Sequence, residues 1–166
     1  YLSTLQRHSA NAGIPAAWAY GIMRQESRFV PLAKSSASAH GLMQIIPETA
    51  RILARKQGLS NFQLSDLGNI DTNVQLGTAY LGQIRDQFGG SMPLASAGYN
   101  AGPGRPAQWK RSLTQNVDGA VFAETIPFSE TRGYVKNVMA NTIWYYLMMN
   151  QRPPKLKDLM GTVKPY

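Results

Sequence analysis

Apolar residues along the chain recur mainly at three- and four-residue spacings, the signature of helices with one buried face. The first residues up to Ala12 read as a short helix that Gly13 can end. From Ile14 a second helix is expected, with Pro15 suited to the first helical position and Trp18, Ile22 and Met23 at helical spacing. Pro31 limits how far it runs. Residues 32–41 are small and polar and read as a loop, after which Pro47 and Glu48 open a helix to about Gln57, with Gly58 as a stop. Val74, Gly77, Leu81, Ile84 and Phe88 mark a core helix for which Asp71 is the expected N-cap. Met92 to Ala97 begins a further short helix leading into a turn at Tyr99-Asn100-Ala101-Gly102-Pro103-Gly104, and a shorter helix holds Trp109. Val135, Val138, Met139, Thr142, Tyr146 and Met149 share the face of a last long helix, which Pro153-Pro154 ends. No alternating strand and no internal repeat stands out, and the tail after Pro154 carries only a weak pattern. The fold class is mostly α.

With 166 residues and no obvious linker, the expectation is one domain with a substantial core, and a hydrophobic content of 43% fits a globular chain. No apolar run approaches the roughly 18 to 20 residues that a membrane span requires, and no signal-peptide pattern opens the chain. A start at Tyr1 rather than Met suggests a processed or excised piece. The absence of cysteine excludes disulfide and thiolate chemistry without choosing a compartment. Seventeen basic and nine acidic residues give a net charge of +8, which favours an anionic partner: nucleic acid, anionic membrane or an acidic wall polymer. The basic residues are scattered apart from Arg51 to Lys56 and Lys155 to Lys157, and no nucleic-acid motif accompanies them.

Glu26 is the most informative single residue. On a continuous helix Trp18, Ile22 and Glu26 share a face, and the positions three and four residues either side of Glu26 are Ile22, Met23, Phe29 and Val30. None can pair with a carboxylate, and Arg24 and Arg28 point elsewhere on a helix. Desolvation and the negative helix C-terminus are both expected to raise its pKa, as suits a proton donor. An exposed helix-end glutamate paired with a distant cation is the competing reading, and spacing alone leaves both open.

Other chemistries are poorly served. His8 and His40 are the only histidines, and no HExxH, cysteine cluster, calcium loop, P-loop or dinucleotide glycine pattern occurs, so no metal and no cofactor is expected. A serine triad would need a histidine base, and His40 in its small-residue loop reads as solvent-facing. Of the remaining acids, Glu48 suits a first turn, whereas Asp66, Asp86, Asp118 and Asp158 read as surface residues. Glu124 and Glu130 flank Ile126-Pro127-Phe128, and either is open to being drawn toward a core or a cleft.

Four runs stand in order: Glu26-Ser27, Gly41-Leu42-Met43-Gln44, Tyr99-Asn100-Ala101-Gly102 and Gly133-Tyr134-Val135-Lys136-Asn137-Val138. Together they resemble the soluble lytic transglycosylases, peptidoglycan-cleaving enzymes of bacteria, over nearly the whole chain. The run from Ile126 to Tyr134 resembles the large soluble periplasmic type, whose catalytic domain follows a long superhelical α domain. The resemblance implies a lysozyme-like helical catalytic domain with a substrate groove, residues 1–166 forming the C-terminal part of a longer periplasmic protein. It departs from the family at Ser38, where a glycine is usual, at Gly98, commonly alanine, and at Ile46, often methionine.

Carried over by position, Glu26 matches the family's single catalytic acid. Ser35 matches a serine near the scissile sugar, Met43 and Gln44 belong to the second motif with Gln44 as a polar cleft residue, and Tyr99 with Asn100 form the motif pair beside the acid. Glu130 and Tyr134 match residues further along the groove. The implied reaction cleaves the bond between N-acetylmuramic acid and N-acetylglucosamine with the muramic 6-hydroxyl in place of water, leaving 1,6-anhydromuramic ends. Peptidoglycan glycan strands are the implied partner, with other cell-wall enzymes as a further one. Three rivals are a hydrolytic muramidase of similar fold, which needs a second carboxylate, a noncatalytic wall-binding module and a basic nucleic-acid-binding helical domain.

Overall fold

The computed structural model describes all residues 1–166, and the mostly α expectation holds: nine α-helices, one 3₁₀ turn and a single pair of two-residue strands. The chain forms two compact units, residues 1–82 and 83–166.

The first unit contains α1 (Leu2–Ala12), α2 (Ala16–Ser27), α3 (Pro47–Lys56), a 3₁₀ turn (Leu64–Gly68) and most of α4 (Ile70–Gln87). Gly13 ends α1 in the left-handed conformation, as expected. Pro15 sits one position earlier than expected, as the extended residue before α2. Asp71 does not cap α4. The Asn69 side chain accepts the Thr72 amide instead, leaving the Asp71 carboxylate to receive Arg7 and the His8 Nε2, the latter at 2.9 Å. That cluster ties α1 to the start of α4. Further along, Gly82 lets α4 pass close to the end of α1, since a Cβ there would meet the Ala12 carbonyl oxygen at 2.9 Å. Leu5, Trp18, Ile22, Met23, Leu42, Met43, Leu67, Leu76 and Leu81 are the large side chains fully removed from solvent.

The second unit contains the end of α4, α5 (Met92–Ala101), α6 (Gly104–Arg111), α7 (Gly119–Thr125), α8 (Ser129–Met148) and α9 (Leu156–Met160). Here α5 packs along α8, and α6, α7 and α9 surround that pair. Two strands that alternation did not reveal, β1 (Val117–Asp118) and β2 (Thr162–Val163), pair antiparallel and draw the tail back onto α7. Asp118 is exposed, as expected, and its carboxylate also accepts the Ala120 amide and caps α7. The long helix stops at Met148, before Pro153-Pro154 is reached, and Asn150 reverses the backbone with φ 55°. Its buried stripe turns from Thr142 to Tyr145 rather than Tyr146, the drift expected of a 3.6-residue repeat over five turns. No helix is long and apolar enough to cross a membrane.

Candidate functional site

Glu26 lies half-buried in the final turn of α2, one residue from the helix end. Trp18, Ile22 and Met23 on the same helix are fully buried, so the apolar floor expected on the N-terminal side is present. The expectation for Phe29 and Val30 fails because helical geometry ends at Ser27. Arg28 and Phe29 both adopt left-handed backbone, with φ 51° and 65°, and the chain turns away, leaving Val30 about half exposed. Two successive non-glycine residues there carry strain. Ser27 holds the reversal: its buried hydroxyl donates to the Met23 carbonyl (3.3 Å) and accepts the Phe29 amide (3.1 Å). The Phe29 ring then settles against Tyr20, with 5.8 Å between centroids. Glu26 is therefore presented at an abrupt, internally bonded helix stop.

The small-residue segment that follows is tightly hydrogen-bonded. His40 and Ile45 exchange both backbone bonds, at 3.1 and 3.0 Å, and the Gly41 amide donates to the Ala33 carbonyl at 2.9 Å. Ser35, exposed, accepts the amides of Ala37 and Ala39 on its hydroxyl, so it organises the turn in which it sits. Gln44 uses Nε2 twice, donating to the Ala33 and Gly41 carbonyls at 2.9 Å each. Met43 is fully buried, and its sulfur lies where a Cβ on Gly77 would stand, 2.4 Å away. Ser38 takes φ 62°, a conformation that glycine adopts at least cost, which gives physical content to the departure noted at that position. His40 is not simply solvent-facing: the residue is half-buried, and its Nδ1 is enclosed without a hydrogen-bond partner.

Asn73 on α4, which the sequence reading passed over, organises this motif. Only 1% exposed, it accepts the Met43 amide on Oδ1 at 2.8 Å and donates from Nδ2 to the carbonyls of His40 (2.9 Å) and Leu67 (3.0 Å). Gly41 lies so close that a Cβ would meet the Asn73 amide nitrogen at 2.1 Å, at a backbone φ of 80°. The only local signal was a polar residue on the Ile70 to Gly77 line of an otherwise apolar helix stripe.

In the second unit, Tyr99 and Asn100 are half-buried in the last turn of α5, so the helix extends through residues expected to form the turn, which begins at Gly102. Gly98, immediately before this pair, packs against Ile84, whose Cγ2 would be 3.1 Å from a Cβ; the absent methyl relieves this crossing. Asn100 Oδ1 accepts the Thr131 hydroxyl at 2.8 Å, joining the end of α5 to the first turn of α8. That turn carries Glu130, exposed, and one turn later Tyr134, 8% exposed. Glu124 is no cleft acid: its exposed carboxylate pairs with Lys136 at 2.8 Å.

Comparison with known proteins gives this arrangement a family. The Transglycosylase SLT domain model matches residues 3–120, and the Soluble lytic transglycosylase helical domain model matches residues 125–154. The chain is 40% identical over 154 residues to the soluble lytic murein transglycosylase of Escherichia coli K12, covering 92% of this chain and 24% of that protein. It is 37% identical over 158 residues to membrane-bound lytic murein transglycosylase C of Actinobacillus pleuropneumoniae, covering 83% of this chain and 43% of that protein. Among solved structures, an inactive glutamate-to-glutamine mutant of the Pseudomonas aeruginosa lytic transglycosylase matches at 43% identity and TM-score 0.86, covering 91% of this chain and 25% of that one. The 70 kDa soluble lytic transglycosylase of Escherichia coli matches at 37% identity and TM-score 0.88, covering all of this chain and 27% of that one. The chain thus spans about a quarter of the length of its soluble relatives. With a family model over most of its length and a helical fold shared with those enzymes, the chain belongs to the SLT-domain lytic transglycosylases.

Proposed function

We propose that this chain is the catalytic part of a periplasmic peptidoglycan lytic transglycosylase in which Glu26 is the acid and then the base. The observation that carries the reading is Glu26 itself, set at an abrupt helix stop above a buried floor of Trp18, Ile22 and Met23. A carboxyl group beside apolar side chains and close to the negative end of a helix is of the kind suited to proton donation. That a related enzyme is described as inactive after a glutamate-to-glutamine replacement supports a reaction in this family that depends on a glutamate.

Glu26 gives its proton to the oxygen joining N-acetylmuramic acid to N-acetylglucosamine. The C1–O bond breaks, the muramic 6-hydroxyl oxygen bonds to C1, and the Glu26 carboxylate takes the hydroxyl proton. No water is consumed, and the acid ends as it began. An attacker already attached to the sugar gains from effective concentration, so a second carboxylate to activate water is unnecessary. The other acids of the first unit fit that economy: Asp71 is occupied by Arg7 and His8, Asp66 accepts the Gln63 amide, and Glu48 is exposed at the start of α3. In this reading Ser35, Met43, Gln44, Tyr99, Asn100, Glu130 and Tyr134 hold the glycan. Met43, fully buried, contributes by shape, whereas Gln44 has its Oε1 for sugar amide and hydroxyl groups.

Glu26→Gln tests the proposal. Wild-type protein is expected to release muropeptides with 1,6-anhydromuramic ends from purified sacculi, read by mass spectrometry. The variant should lose at least about a hundredfold in rate while melting at the same temperature. Reducing ends from the wild type would establish hydrolysis instead, and undiminished release by the variant would remove Glu26 from the chemistry.

A further inference from the structure

A small aromatic and cationic surface in the second unit has no part in the reaction described above. Phe128, immediately before α8, is 40% exposed. Trp109 of α6 meets its ring edge-on, with 5.5 Å between centroids and 89° between planes. Arg105, one turn earlier on α6 and exposed, places its guanidinium carbon 5.1 Å from the centroid of the same ring. Backbone anchoring is firm: Arg132 Nε donates to the carbonyl of Ile126, which is 1% exposed. Arg105 has no carboxylate partner.

An arginine held over an aromatic face keeps its planar donors pre-aligned without spending them on an ion pair, and a carboxylate is the partner that fits such a fork. The exposed aromatic surface next to it suits the apolar face of a sugar ring or a small peptide side chain. The surface adjoins the Tyr99-Asn100 run by chain continuity, since Gly102 and Pro103 lead straight into α6, and through the Asn100 to Thr131 hydrogen bond three residues beyond Phe128. We infer that Arg105, Phe128 and Trp109 form a subsite for the acidic groups of the glycan, Arg105 taking a substrate carboxylate and the two rings the apolar group next to it. The inference rests on the proposed peptidoglycan substrate. Two sources supply such a carboxylate: the lactyl group of a peptide-free muramic residue, and the stem peptide where that lactyl group is amidated.

The test measures binding in a Glu26→Gln background, so that turnover does not intervene, with and without Arg105→Gln. Three probes are titrated by calorimetry: peptide-bearing glycan fragments, peptide-free fragments with free lactyl carboxylates, and neutral N-acetylglucosamine oligomers. Arg105→Gln is expected to weaken binding about three- to tenfold for a carboxylate-bearing probe, to leave the neutral oligomer unchanged and to reduce the salt dependence. The probe that responds identifies the source, and a response of both assigns the site to either. Equal affinity for all three probes, or an equal loss on all three, would overturn the inference, the second outcome marking Arg105 as only a cover for Phe128. Digestion of sacculi by the wild type separates the two proposals. Missing anhydro ends together with Arg105-dependent carboxylate binding would sink the reaction and leave the subsite standing.

Discussion

Asn73→Ala is the sharpest test of how the first unit holds its second motif. The substitution removes three hydrogen bonds from a site only 1% exposed. Their loss is unequal. The His40 carbonyl keeps a second donor, the Ile45 amide at 3.0 Å, so it suffers least. The Met43 amide has one proton to give, and losing Oδ1 leaves it buried and unpaired, which costs about 1–3 kcal/mol. The Leu67 carbonyl loses its Asn73 bond for a further ~1 kcal/mol, and the void left by the carboxamide adds to both. The expected loss is about 4 kcal/mol, a fall of roughly 10 °C in melting temperature for a chain of this size. Urea unfolding measures the free energy, and hydrogen exchange reports the Met43 amide directly. Gln75→Ala, on the same helix with only a 3.4 Å contact to Gln57, is the control and should change stability by less than about 0.5 kcal/mol. A loss below about 1 kcal/mol with unchanged protection of Met43 would refute this account of the motif.

Three further outcomes follow from the packing and charge. Gly77→Ala should destabilise the first unit and shift Met43, because the new methyl would occupy the space of its sulfur at 2.4 Å; a melting temperature equal to wild type would show that Met43 moves freely. Gly119→Ala should release the C-terminal tail, since a Cβ there would meet the Met160 carbonyl oxygen at 2.0 Å and the Gly119 amide donates to Gly161 at 2.7 Å; rapid amide exchange over residues 160–163 is the readout. The Asp71 carboxyl is held below its usual 3.8, chiefly by the His8 hydrogen bond and secondarily by the charges of His8 and Arg7, with burial opposing. A depressed carboxyl gives stability that is full above 3.8 and lost as pH falls through the lower folded value, so Asp71→Asn should flatten the acid limb of the melting-temperature profile. The side chain is half exposed, so solvent keeps the effect small; an unchanged acid limb would show that the contact contributes nothing.

The sequence by itself determined the helices and their buried stripes, because helix formation is read from contacts three and four residues apart and those lie within one window of the chain. It placed Glu26 near a helix end over Trp18, Ile22 and Met23, and it set the four motifs in order. Tertiary structure decided what those local rules leave degenerate. Asn69 and Asp71 are both good caps by composition, and only the proximity of Arg7 and His8 takes Asp71 away from that task. Asp118 becomes a cap, and Val117 a strand residue, because Val163 returns from 46 positions later. The end of the Glu26 face was set by two left-handed residues that Ser27 stabilises, a cost that residue type does not advertise. Gly41 and Met43 find their reason in Asn73, some thirty residues away, whose carboxamide fits only because the glycine has no Cβ. Periodicity carries burial; which polar group meets which across the fold is fixed by chain return, and no local spacing records it.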